Sequence, residues 1–540
     1  MEKEFNLIDE SWILVLDKKG QTKELSIFET LEQAPDLIKL AGESVAQDFA
    51  MLRLLLAILH AVIGKREDGS YTKLGETRNP DSREGQLDRW KYLWEKKTLP
   101  IDDIEAYLRE YYDRFYLFHP ETPFYQMSGE IATQGSMYKV SKLNGNIVES
   151  SNSNTNRIFS NRQGDMKDRL SYSEAARWLL FLIGFDDTSL KKRVNPEKNS
   201  ISKGWLGDLG LIANEGNNLF ETLMLNLVLL RDADRELWMT ERPVWQREPI
   251  KMDRVPVEFP DNSSEILTLQ SRLVKLNRDE KSQEITGFYI LGGNFYQKDI
   301  EVINEHMTIW KKGGNKSERQ YQPKVNTPDK QAWRDLGSLL AAKVQDDEIP
   351  KPGVIRWVEN LLDHDIDLEF IRLITAGVKY GGPPANEIQD HFSDSIGFSS
   401  ELIKEKNLYW QIRIVNQVGV CDKLADYIYS LSIDLEYAKG NTGRSKDTVR
   451  RNKARAYELM DPYFREWLES IRPEEDDIGI KVEEWQDRAK KLIIKLGKTL
   501  VEEAGGIALV GREDDGKFYT SARAYNIFSS RVKNVSEEVI

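Results

Sequence analysis

The sequence predicts an α+β protein in which a large mixed domain, residues 1–393, precedes an all-α four-helix bundle, residues 394–540. Three observations predict it. A chain of 540 residues exceeds what one hydrophobic core supports. Up to about residue 393, short strand-like runs mix with separate amphipathic helices. Beyond residue 399 helical periodicity dominates, over about 400–437, 445–471, 481–504 and 518–532. Its breaks carry helix-stop residues: Gly440 and Gly443, Arg472-Pro473, and Gly505-Gly506. Four such helices with short connections imply a bundle.

Taken in order, residues 5–16 read as a strand, turned by Lys18-Lys19-Gly20-Gln21 and returning over 22–27. Residues 44–62 form the first strong helix, with Ala46, Phe49, Leu52, Leu56, Leu59 and Val62 on one face. Two further helices cover about 86–96 and 101–114, with Pro100 opening the second. FYLFHPETPFYQM, 115–127, is a packed aromatic connector, and His119 within it reads as structural. Helices over 171–185 and 219–230 flank a polar loop. Strands are expected at 264–276, 285–295 and 367–378, and a helix at 330–343 after a polar loop at 311–328. KYGGPPAN, 379–386, makes a protruding turn just before the domain boundary.

Composition bounds the function. The chain is 40% apolar and 31% charged, which suits a folded globular protein. Its longest apolar stretch, 51–63, is interrupted by Arg53 and His60, so a buried helix is expected and no membrane partner. The N-terminal MEKEFNLIDESW lacks a signal-peptide pattern. The one cysteine, Cys421, excludes an internal disulfide and a cysteine-built zinc site. A cytoplasmic location follows as the expectation.

Net charge is −13, which argues against indiscriminate nucleic-acid binding. Screening over about 8–10 Å still leaves room for local basic sites. Residues 311–324 hold five cations against Glu318, and residues 439–455 hold seven against Asp447. Arg444, Lys446, Arg450, Arg451, Lys453 and Arg455 form a candidate basic track, readable as a solvated helix face or as a phosphate path.

No phosphate-loop or dinucleotide-binding glycine pattern occurs. The histidines at 60, 119, 306, 364 and 391 have no metal-ligand spacing. There is no nucleophile elbow, and Cys421 falls in a bundle helix. No catalytic set, metal or cofactor is expected, and the chain reads as a non-enzyme. His364-Asp365 is the lone hydrolase candidate.

The residues that hold most functional promise lie between 151 and 230. A polar run, 151–156, leads to NRIFSNR, where Phe159 has polar flanks. After the 171–185 helix, the loop carries Lys191, Lys192, Arg193, Lys198 and Lys203 among small residues. Cation-bearing loops pinned between apolar helices suit a polyanion.

FNLIDESWI, FYLFHPETPFYQM, NRIFSNR, SKGWLGDLGLIANEGNNLFETLMLNLV, SEILTLQSRLVKL, ITGFYILGGNF and AGVKYGGPPANEIQDHFSDSI occur here in that order. In this order, with a terminal bundle, they resemble the CasA family, the large subunits of type I-E CRISPR surveillance complexes (Cascade). The resemblance implies a non-catalytic subunit that reads the protospacer-adjacent motif (PAM) of target duplex DNA through the minor groove. There the donor and acceptor code is degenerate. It further implies initiation of strand separation, guide CRISPR RNA and other Cascade subunits as partners, and recruitment of a helicase-nuclease for antiviral defence.

By the same resemblance, Asn156 and Phe159 belong to a loop at the guide and PAM end. The PAM-reading loop falls at Lys198, Asn199, Ser200, Ser202, Lys203 and Gly204, where this sequence reads KNSISKG with a single glycine and Lys203 offers a direct contact. Gly292 and Gly293 end a strand near the PAM. The wedge falls at Lys379, Tyr380, Gly381, Gly382, Pro383 and Pro384. The family often carries glutamine at the wedge, whereas here the nearest is Gln389. Bulk at such a tip parts base steps. The rival reading is a protein-protein scaffold within a ribonucleoprotein.

Overall fold

The computed structural model describes residues 3–129, 134–144, 167–187, 203–231, 236–250, 256–279, 281–297, 300–314, 317–340, 349–382, 387–441, 446–514 and 516–536. The architecture is mixed helix and strand with a long helical C-terminal region, the fold class that the sequence predicts. Two compact units emerge. The first comprises Met1–Pro328, Lys351–Asp367 and Leu373–Asp394; the second comprises Asp329–Pro350, Leu368–Arg372 and Ser395–Ile540.

The first unit is organised on the helix Val45–Ile63. Ser44 caps it, its hydroxyl accepting from the Gln47 N–H at 3.2 Å. Its apolar residues face all directions, so neighbours must surround it. Ile101–Glu110, Tyr172–Phe185, Leu219–Asn226 and Ser263–Leu267 all pack against it. The helix is long and apolar enough to cross a membrane, but 94% of that span is buried within the protein. Arg53, inside it, forks onto Glu305 at 2.8 and 3.0 Å and donates to the Ile266 carbonyl at 2.9 Å. Burial of that cation is tolerable only because its donors are met.

Among the described residues, three sheets have three strands. Thr22–Leu25, Ile13–Asp17 and Leu37–Leu40 form the first. The expected strand at 5–16 is interrupted. Glu4–Asn6 pairs instead with Tyr116–Phe118, and the Trp12 indole turns back to donate to the Leu7 carbonyl at 3.0 Å. Arg272–Asp279, Glu284–Gly292 and Ser136–Lys139 form the second sheet, in that order. Ile212–Asn214 joins Phe370–Tyr380 and Ile388–Ser399 in the third.

Several expected elements change type. Residues 264–276 divide into the helix Ser263–Leu267 and the strand that starts at Arg272. The loop expected at 311–328 contains the hairpin Trp310–Lys312 and Tyr321–Pro323. The helix expected at 330–343 is represented by the 3-10 turn Ala332–Asp335 and the single turn Leu336–Leu339.

The second unit holds the helices Leu408–Ala438, Lys446–Glu469, Ile478–Val510 and Ser521–Lys533. An aromatic cluster fills it: Trp333 stacks on Phe464 at 4.4 Å, and Trp467 on Trp485 at 5.7 Å. Trp333 also donates to Asp461 at 2.8 Å, so residues before the bundle in sequence belong to its core. Cys421 is fully buried, and burial pushes its thiol pKa up. Gly505, at φ +73°, breaks the Ile478–Val510 helix. Only glycine adopts that geometry without strain. The turn beyond it leaves Ile507, Leu509 and Val510 exposed.

Candidate nucleic-acid interface

The helix Tyr172–Phe185 is the foundation of the site. Ser171 and Glu174 form a reciprocal capping box at its start. Its faces are nearly all apolar and buried, so the helix is fixed along its length. At its C-terminus the last carbonyls lack intrahelical partners, and segments remote in sequence supply them. The Ser271 hydroxyl donates to the Ile183 carbonyl. The Tyr380 hydroxyl donates to the Phe185 carbonyl at 2.7 Å. The Gly204 N–H donates to the Asp186 carbonyl at 2.9 Å. The helix end therefore gathers the 203–210 turn, the 271–272 strand start and the base of the 380–387 hairpin.

The negative end of the helix also gathers cations. Arg272 pairs with the Asp186 carboxylate and donates to the Asp187 carbonyl at 3.2 Å. Lys203 places its ammonium 3.2 Å from Asp208 and 5.2 Å from the centre of the Tyr380 ring. Burial pushes the Asp208 carboxyl upward, while Lys203 opposes the shift. Burial likewise raises the Tyr380 phenol well above its ordinary value, keeping it a donor.

The turn itself is built by close approach. Trp205–Asp208 forms a 3-10 turn. A Cβ on Gly204 would lie 2.3 Å from the Gly184 carbonyl oxygen, and one on Gly207 would lie 2.1 Å from the Tyr380 hydroxyl. Trp205 locks the turn from beneath, its indole donating to Glu305 at 3.1 Å and its backbone N–H to Ser271 at 3.2 Å. Glu305 is the carboxylate that neutralises Arg53, so the turn is pinned to the central helix.

Among the sequence-predicted residues, Lys203, Gly204, Tyr380, Gly292 and Gly293 come together around this helix end. Gly292 pairs with Arg272 in the ladder, and the Gly293 N–H donates to the Ser271 carbonyl at 3.0 Å. A Cβ on Gly293 would lie 2.2 Å from the Gln270 carbonyl oxygen, so the strand end closes tightly on 270–272. Lys379 is exposed and Gly382 has open space around it. The Gly381 N–H donates to the Glu387 carbonyl at 2.8 Å and closes the hairpin neck. Two assignments shift in character. Lys203, expected as a direct contact, is engaged internally by Asp208. Tyr380, expected within the wedge, points back into the fold beneath it. Asn156, Phe159, Lys198, Asn199, Ser200, Ser202, Pro383, Pro384 and Arg444 lie outside the described residues.

The basic track belongs to the second unit and divides in two. Lys446, Arg450 and Arg451 are exposed on the Lys446–Glu469 helix. Lys453 pairs with Asp426, and Arg455 forks onto Glu503 with both contacts at 2.9 Å. A cavity of about 290 Å³ lies beside them, lined in part by Ser432, Lys439, Arg451 and Asn452.

Gly207, Ser271, Arg272 and Asp186 were missed from sequence. The glycines at 204, 207 and 210 in GWLGDLG carry a signal, since regular glycine spacing marks a turn packed against backbone. No comparable signal marks Ser271 or Arg272, whose partners are remote.

The family model described as CRISPR-associated protein Cse1 (CRISPR_cse1) matches residues 6–496. The chain belongs to that family. It is similar to a CRISPR-associated protein CasA/Cse1 of Thermus thermophilus, 32% identical over 250 residues, which cover 46% of this chain and 43% of that protein. The solved Cse1 of Thermobifida fusca superposes with a TM-score of 0.81 at 30% identity, covering 98% of each chain. A chain of a solved CRISPR RNA-guided surveillance complex shares the fold at a TM-score of 0.71 and 16% identity, covering 99% of this chain and 100% of that one.

Proposed function

We propose that this chain is the non-catalytic DNA-recognition subunit of a type I-E CRISPR surveillance complex. It reads the PAM of target duplex DNA through the minor groove and begins strand separation. Other Cascade subunits and guide CRISPR RNA are its partners, and it helps recruit the helicase-nuclease that destroys the target. Family membership supports the complex. One structural observation supports the DNA role: the turn at 203–210, the glycine strand end at 292–293 and the hairpin neck at 380–387 converge on one helix end. A turn of close-packed backbone suits a minor groove too narrow for a helix. Beside it, Lys311 and Lys312 are exposed on a hairpin whose Ile309 N–H donates to the Gly210 carbonyl at 2.9 Å. Exposed cations there favour phosphate contact. The wedge is the hairpin at 379–384, and Arg450 and Arg451, exposed in the second unit, are separate candidates for phosphate contact.

The test is duplex binding by the guide-loaded complex, with and without this chain, across a library of bases flanking the target. Adding the chain is expected to create a preference for particular flanking bases. Deleting 381–386 is expected to keep that preference and block opening. Equal binding that ignores flanking bases with and without the chain would overturn the reading and favour a scaffold role.

A further inference from the structure

We infer that Tyr380 is a positioning residue that couples the DNA-reading turn to the strand-opening hairpin, with Gly207 as its obligatory seat. The inference rests on the proposed function and adds how its two parts communicate. Tyr380 makes three contacts, two with the turn and one with the helix end. Its hydroxyl occupies the space where any Gly207 side chain would begin, 2.1 Å from a built Cβ. Its ring lies under the Lys203 ammonium, which Asp208 holds at 3.2 Å. Its hydroxyl also closes on the Phe185 carbonyl at 2.7 Å, so turn, tyrosine and helix end share one anchor.

The hairpin tip begins at the very next residue. Gly381 and Gly382 follow Tyr380, and glycines of this kind do not hold a direction by themselves. The described part of the hairpin is held at its two feet. Tyr380 is one. Glu387 is the other, 3.9 Å from Lys142, whose ammonium lies 4.8 Å from the Tyr138 ring. Of these feet, Tyr380 is the one in contact with the 203–208 turn. A displacement of that turn by a bound duplex acts on Tyr380 through Gly207 and Lys203, and so on the tip. The sequence pattern that specifies this device is a glycine at 207 with a hydroxyl-bearing ring at 380.

The test uses guide-loaded complexes assembled with the wild-type chain, Tyr380→Phe or Gly207→Ala. Equilibrium binding across the flanking-base library reads the turn. Permanganate reactivity of thymines beside the flanking bases reads strand opening. A third arm supplies a duplex already mismatched at those positions. Each variant is expected to slow opening at least about tenfold more than it weakens binding, with the mismatched duplex restoring the wild-type level. General loss of folding would depress all arms together, including the mismatched duplex. Tyr380→Phe keeps the ring and Gly207→Ala keeps the hydroxyl, so agreement between them locates the effect at their contact. Opening that matches wild type in both variants, while the wild-type preference persists, overturns this inference alone. Losses that fall equally on binding and opening, without rescue, also overturn it. A wild-type complex blind to flanking bases overturns the functional reading and this inference with it.

Discussion

Glu241 is fully buried beside His60, with 3.8 Å between its Oε1 and the His60 Nδ1. Burial raises its carboxyl pKa from 4.5 to about 7, against the opposing Ser264 hydrogen bonds. Below pH 4.5 the folded and unfolded chains both hold this proton. As pH rises to 7, the unfolded chain releases it first, so stability falls, and by pH 8 the loss is complete at roughly 3 kcal/mol. Burial depresses His60, which acts oppositely and costs stability at acid pH. Glu241→Gln is therefore expected to raise the melting temperature at pH 8 and leave it nearly unchanged at pH 4.5. An equal gain at both values would show that the carboxyl does not titrate in this way. At this scale the sequence was legible where chemistry is local. His119, read as structural, accepts from the Thr122 N–H at 2.9 Å within its own turn. His364, paired in sequence with Asp365, lies 3.2 Å from Asp88 instead. Adjacency along a chain does not determine side-chain pairing across a fold.

The helix Tyr172–Phe185 shows what one element contributes. Its sequence signals, Ser171, Glu174 and an apolar run, were sufficient to place it. The candidate site lies at the opposite end, where remote donors meet its carbonyls. Ser171→Ala removes the hydroxyl that accepts from the Glu174 N–H, leaves the Ser171 N–H free to donate to the Glu174 carboxylate, and is expected to cost about 1 kcal/mol, read as a lower urea midpoint for the unit. An unchanged midpoint would mean that packing alone holds the helix start. The element missed most instructively is Ser263–Leu267. Apolar alternation at 264–276 favoured a strand, yet Asn262 accepts from the Glu265 N–H at 3.0 Å and starts a helix. A capping residue with an acid three positions later outweighed alternation over so short a span. The Glu4–Asn6 and Tyr116–Phe118 pairing was not legible, because nothing local records a partner over 100 residues away.

For the whole molecule, a net charge of −13 sets the electrostatic background against which any DNA contact must act. Exposed and paired cations of the bundle should then behave differently. Replacing both Arg450 and Arg451 with alanine is expected to flatten the salt dependence of duplex binding, lowering the log–log slope by up to roughly 2. Replacing Lys453 and Arg455, already paired with Asp426 and Glu503, should change it little. Equal slopes in both double variants would remove the bundle from the DNA path. The division into mixed and helical regions was legible because helical periodicity persists over long stretches. The allocation of 329–350 to the helical unit was not, since it depends on where Trp333 finds aromatic partners.

The buried helix Val45–Ile63 also has a history in time. It leaves the ribosome strongly apolar and carrying Arg53, whose partner Glu305 is 252 residues further on. At typical synthesis rates that interval lasts roughly 10–50 s. Early in it the chain presents a segment that satisfies the length and hydropathy of a membrane span, before the helices 101–110, 172–185, 219–226 and 263–267 that cover it have all emerged. The same helix that organises the first unit is thus exposed to misdirection during synthesis, and Asp48, Arg53 and His60 are the residues within it that disfavour a lipid environment until their surroundings arrive.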